Sequence, residues 1–289
     1  MSGATVLFDA PGPRARVRHR MLAGLTVVAF ALIFGWVIWK FAAAEQFTAA
    51  KWEPFLTPDL WTTYVLPGIE GTLTAAAVSI VLALVLGCLL GVGRLSPIPV
   101  VSWACATFVE FFRAVPVLIM MLFSYALFAQ YNVFASEYLA LAGVITGLTL
   151  YNSAVIAEIV RSGVHSLPRG QAEAASALGM TWSQTMGSIQ LPQAITSMLP
   201  VLVSQMVVVL KDTAIGYQIT FVEMVRQGQS IGSSYGNYIP ALIVIAALMI
   251  GLNFALSAFA TWLEARLRRS KKGPAPLAAR ANVQDAPGV

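Results

Sequence analysis

Charged side chains are scarce: Asp, Glu, Lys and Arg make up 11% of the 289 residues, against about 25% in an ordinary soluble domain. There are two cysteines, Cys88 and Cys105. They form no CxxC pair, so neither a disulfide framework nor a thiolate zinc site follows. The two histidines, His19 and His165, lie far apart among basic loop residues, which gives no histidine metal centre. Apolar residues fill the space instead, at 58% of the chain and a mean hydropathy of +0.75. That balance argues against a disordered chain and a soluble globule, and identifies an integral membrane protein. The excess of 18 Lys and Arg over 13 Asp and Glu does not point to nucleic acid. Its charges flank apolar runs, as membrane topology requires.

A helix needs about 20 mostly apolar residues to cross a hydrocarbon core about 30 Å thick. Uncharged runs predict six such helices, at 21–39, 71–93, 114–136, 138–157, about 194–210 and about 239–263. Pro200 falls inside the fifth. None alternates as a barrel strand does. With the N-terminus in the cytoplasm, thirteen of the 18 basic residues lie inside. Lys40, Lys51, Lys211 and Arg226 lie outside, and Arg113 sits between. The bias places both termini in the cytoplasm. Ala42-Ala43-Ala44 offers a small-residue cleavage site after the first run, so a signal peptide is the alternative there. The length of the run, with Trp36 and Trp39 at an interface position, favours a retained helix.

The predicted organisation is a polar basic tail at 1–20, a leading membrane helix at 21–39 and an outward loop at 40–66. A membrane domain at 67–268 and a tail at 269–289 complete it. Four arginines in the first tail suit anionic lipid head groups. The inside loop at about 159–193 reads as a helix–turn–helix. Residues 172–178 favour helix, Gly179 fits the position just past a helix end, and Thr181 is a plausible N-cap for a second turn. Pro192 follows at the start of the next span, where proline is tolerated. Ala174, Ala175 and Leu178 share a face three and four residues apart. That strip either rests on its own bundle or receives another protein.

Ionisable groups at membrane depth are costly and are functional candidates by default. Glu110 and Arg113 stand three apart, as do Glu158 and Arg161. Each pair either fixes helix depth as an interfacial ion pair or, for Glu110 and Arg113, lines a pathway. Lys211 either snorkels to the interface or offers its cation to a substrate carboxylate. In the second reading Asp212 attracts an ammonium, Thr213 adds a neutral donor and Gln205 lines the same face.

The inside loop also carries a resemblance. Glu173-Ala174-Ala175, three residues to Gly179, nine to Ile189, and Leu191-Pro192 resemble the EAA loop of ABC importer permeases. Phe112-Arg113-Ala114-Val115-Pro116, Glu158-Ile159-Val160-Arg161-Ser162-Gly163, Leu167-Pro168-Arg169-Gly170-Gln171 and Leu210-Lys211-Asp212-Thr213-Ala214 resemble its polar amino acid branch. Within that branch the chain looks most like glutamate-importer permeases with an extra leading helix.

The resemblance implies an all-α, polytopic five-helix permease core plus one added N-terminal helix, in a bacterial cell membrane. It implies that Glu173, Ala174, Ala175, Leu178, Gly179, Ile189, Leu191 and Pro192 couple the chain to an ATPase dimer. That dimer would carry the ATP and Mg, and this chain would bind no cofactor. A paralogous permease or a second copy would complete the membrane domain, and an extracytoplasmic binding protein would deliver the amino acid. The chain contains no GxxxxGK[ST] loop and no HExxH, so it is expected to be no enzyme. An ion-gradient-driven secondary transporter is the competing reading, followed by a membrane enzyme and a purely structural subunit. Uptake requiring ATP and a separate binding protein would exclude all three.

Overall fold

The computed structural model describes residues 12–269. Among these every regular element is helical, with no strand. The leading helix α1 (Pro13–Ala43) has no buried residue. Lys40 near its end lies over the rings of Trp36 and Trp39, at 5.9 and 5.2 Å. Proline in its first turn lets α1 start at Pro13. Arg14, Arg16, Arg18 and Arg20 are therefore helical rather than part of a polar tail. Residues 1–11 of that tail and residues 270–289 of the other one lie outside the described residues.

Short turns over residues 49–65 follow, and then the long helix α2 (Leu66–Arg94). Helices α3 (Pro99–Ala114) and α4 (Val117–Gln130) come next, and α5 (Leu139–His165) is the central element. The loop helices α6 (Arg169–Ala177) and α7 (Trp182–Thr185) precede α8 (Leu191–Asp212), joined to it by a π-helical turn (Met186–Gln190). A 3-10 segment (Thr213–Ile219), α9 (Met224–Tyr235) and α10 (Tyr238–Arg269) complete the fold.

The third expected span differs from its prediction. The uncharged run at 114–136 supplies only α4, 14 residues long, or about 21 Å at 1.5 Å per residue. That is too short to cross alone. The chain before it forms α3, and the two axes meet at 101°. Pro116 is the cause: it has no amide to donate, and its ring pushes Val115 to an extended φ −87, ψ 127. Five helices are long and apolar enough to cross a membrane, and the bent α3–α4 pair makes a sixth crossing if counted as one.

Small residues set the packing. A Cβ on Gly87 would stand 2.7 Å from Ile156, and one on Gly91 would stand 2.9 Å from the Ala157 carbonyl oxygen. Only glycine lets α2 and α5 approach so closely, and the two helices run in the same direction. Helix α8 runs back along α5. At one end Ala75, Met121, Val144, Leu148, Val209, Ile219 and Phe221 form a core. At the other, Val164, Met186 and Ala194 seat the α6–α7 loop with help from Trp182 and Leu191.

Candidate functional site

The α6–α7 loop is built by its caps. Gly179 has φ +74, the left-handed conformation that a residue without Cβ adopts freely. Its amide donates to the Ser176 carbonyl at 3.0 Å, and the Met180 amide donates to the Ala175 carbonyl at 3.1 Å. This paired closure ends α6 where the sequence placed the glycine. Thr181 accepts from the Gln184 amide at 3.4 Å while the Gln184 side chain accepts from the Thr181 amide at 2.8 Å. That is a reciprocal capping box. Gln171 donates to Gln193 at 2.9 Å and ties the start of α6 to the start of α8.

The expected docking strip is divided by the fold. Leu178 is 81% exposed and Glu173 and Ala174 are exposed, but Ala175 is 2% exposed. Ala175 turns toward its own bundle, so it supports the loop from beneath, and Ala177 takes its place on the open face. Ile189 and Leu191 are half-buried, Leu191 in the core below the loop, while Pro192 opens α8. Glu173, Arg169, His165 and Trp182 line a cavity of about 590 Å³ between the end of α5 and the loop.

The charges near that end form one cluster that keeps the Glu158–Arg161 pair and contains no Glu110–Arg113 pair. Arg94, the last residue of α2, donates to Glu158 at 2.7 Å and to Glu110 at 3.0 Å. Its guanidinium fork therefore joins α2, α3 and α5. Arg161 pairs with Glu158 as expected, at 2.5 Å. Arg113 lies 3.8 Å from Glu158 rather than on Glu110. Glu158 thus faces three arginines. The role of Arg94 was hidden in the sequence because it lies 16 and 64 residues from its partners.

At the far end of α8, Lys211 is exposed and Asp212 half-buried. Lys211 makes no ion pair among the described residues. Thr213 departs from its expected role: it is fully buried, and its hydroxyl donates to the Leu210 carbonyl at 2.7 Å. It has no donor to offer a substrate. Gln205 reaches across to Asn152 of α5, its Nε2 donating to Asn152 Oδ1 at 2.7 Å.

Two polar residues escaped the sequence reading. Asn152 is fully buried in the middle of α5, and without a charge it gives no signal within an apolar run. Glu223 is fully buried too and caps α9, accepting from the Val225 and Arg226 amides at 2.8 and 2.6 Å. Burial pushes its carboxyl up to about 7 against the pull of those two amides. The signal for it was an acidic residue at a helix start, outside every apolar run. Among the described residues no three His, Cys, Asp or Glu side chains gather to hold a metal ion.

Residues 83–269 match the family described as "Binding-protein-dependent transport system inner membrane component". The chain is 55% identical over 226 residues to the glutamate transport system permease protein GluD of Corynebacterium glutamicum, covering 78% of this chain and 83% of that one. It is 35% identical over 228 residues to the probable glutamine ABC transporter permease protein GlnP of Bacillus subtilis, covering 78% and 97%. Among solved structures, an amino acid ABC transporter crystallised with histidines aligns with a TM-score of 0.64 at 29% identity. It covers 71% of this chain and 95% of its own. A relative matched over nearly its whole length leaves a fifth of this chain over, and the family match begins well after α1. The chain therefore belongs to the binding-protein-dependent inner membrane components, as a multi-pass permease of the polar amino acid ABC importers, a transport subunit and not an enzyme.

Proposed function

We propose that this chain is the membrane passage of a glutamate importer. Glutamate arrives from a separate extracytoplasmic binding protein. A separate ATPase dimer, carrying the ATP and Mg, drives the change between outward and inward access. The 55% identity to a permease named for glutamate transport carries this reading. The basic residues flanking the spans favour both termini in the cytoplasm, on the side of the α6–α7 loop.

In this reading the exposed face of Glu173, Ala174, Ala177 and Leu178 sits in the ATPase surface. The capped turn at Gly179 fixes its angle, and Ala175, Ile189, Leu191 and Pro192 transmit its movement to α8. A rigid lever between two discrete states is how such a loop does work without covalent chemistry. Lys211 and Asp212 lie along the substrate path with Gln205, and Arg113 and Glu110 belong to its cytoplasmic end. A second permease, either a paralogue or another copy, closes the passage. The test is purification of the tagged chain from native membranes in mild detergent. An ATPase and a second permease coming with it support the proposal. A chain that purifies alone and transports after reconstitution without ATP overturns it in favour of a gradient-driven carrier.

A further inference from the structure

Helix α5 carries one amide side chain at its exact midpoint: Asn152 stands thirteen residues from each end of Leu139–His165. It is fully buried. A polar group at the centre of a membrane helix is expensive unless it is bonded and used. Its bonds have a direction. Asn152 Nδ2 donates to the Leu148 carbonyl at 2.8 Å, and a backbone carbonyl can only accept. Asn152 Oδ1 is thereby turned the other way, toward α8. Only a donor answers an oxygen, so Gln205 presents Nε2 to it, at 2.7 Å. The Gln205 amide is left with Oε1 away from Asn152. That oxygen accepts no hydrogen bond within the described residues, and it is not among the buried atoms lacking a partner.

We propose that Asn152 is a positioning residue that fixes the Gln205 amide with its oxygen toward the open side of α8, where it accepts a hydrogen bond from the α-ammonium of the transported amino acid. The chain of donors and acceptors starts at a helix backbone, so the amide of Gln205 does not turn over without breaking a bond at mid-membrane depth. A neutral acceptor there suits a passage: it replaces one water on the ammonium without holding the substrate as a carboxylate would. The assignment rests on the reading that an amino acid crosses beside α8.

The test is equilibrium binding of L-glutamate and L-glutamine to the purified permease–ATPase complex, without binding protein, beside glutarate, which lacks the ammonium. Gln205→Leu is expected to weaken amino acid binding by about ten- to a hundredfold, the range of one hydrogen bond to a charged group, and to leave glutarate binding unchanged. Asn152→Leu frees the Gln205 amide and weakens amino acid binding in the same direction. Adding Gln205→Glu to Asn152→Leu restores it, because a carboxylate presents an acceptor whichever way it turns. If an amino acid binds the wild type, and Gln205→Leu and Asn152→Leu bind it equally well while only melting earlier, the pair merely clamps α5 to α8 and the assignment is wrong. If neither amino acid binds the wild-type complex, Gln205 makes no such contact and this inference fails, whereas the importer reading fails only if amino acid uptake by the complete complex with its binding protein proves independent of ATP.

Discussion

Gly179 offers the sharpest perturbation. Its φ of +74 costs an L-residue with a side chain about 1–2 kcal/mol, and a β-branched residue stands at the upper end. No atom lies within 4 Å of a Cβ placed there, so the penalty is backbone strain with no clash added. Valine can relieve it only by leaving the left-handed region. The two closing bonds, to Ser176 and Ala175, would then break at about 1 kcal/mol each. Either way the geometry that aims Leu178 outward is disfavoured by about 2 kcal/mol, or about thirtyfold in population. This cost is local, because the loop is still held by the Val164, Met186 and Ala194 core. Gly179→Val should therefore reach the membrane in normal amount yet lose well over nine-tenths of ATP-driven uptake, in line with that roughly thirtyfold fall. Gly179→Asn, which tolerates φ > 0, should retain most of it. Amino acid uptake and ATP hydrolysis by the reconstituted complex measure the two together. Wild-type uptake by the valine variant would refute the reasoning, as would equal damage from asparagine and valine.

Three further outcomes are expected. Lys211→Gln should weaken uptake of glutamate more than of glutamine; equal apparent affinity for glutamate before and after would mean that Lys211 only snorkels. Glu158→Gln leaves Arg94, Arg113 and Arg161 with Glu110 as the remaining carboxylate of the cluster. This should lower stability by about 1–3 kcal/mol, reduced from the fully buried case by the cluster's partial exposure, and a thermal melt of the detergent complex would detect it. For Glu223, whose folded carboxyl is raised from 4.5 to about 7, the folded corner holds a proton that the opened one releases. Its stability is greatest at or below pH 4.5, falls as pH rises toward about 7 and is level above. Hydrogen exchange of the first amides of α9, corrected for intrinsic rates, should show this slope, and Glu223→Gln should remove it.

Much of this architecture was legible because bilayers impose a length rule on apolar runs. The coupling loop was legible because its turns are written in local chemistry: Gly179 and Thr181 act on residues no more than five positions away. What failed was long-range or depended on facing. The bend at Val115–Pro116 was visible as a dipeptide, but the uncharged run through it suggested one straight span. Ala174 and Ala175 look equivalent in sequence, and only packing against the bundle separates the buried one from the exposed one. Arg94 entered the charge cluster because α2 ends beside α3 and α5, a fact of tertiary arrangement. Thr213 reads in sequence as a free donor, but its hydroxyl is spent on the Leu210 carbonyl. Asn152 needed a neighbour on another helix before its burial acquired a meaning.

The central claim is tested most directly by uptake into proteoliposomes. They would hold this permease with its second permease and the ATPase, with ATP inside and the binding protein with labelled glutamate outside. The account predicts accumulation that stops when ATP, the binding protein or the ATPase is omitted. Accumulation that persists without ATP and follows an imposed ion gradient would contradict it.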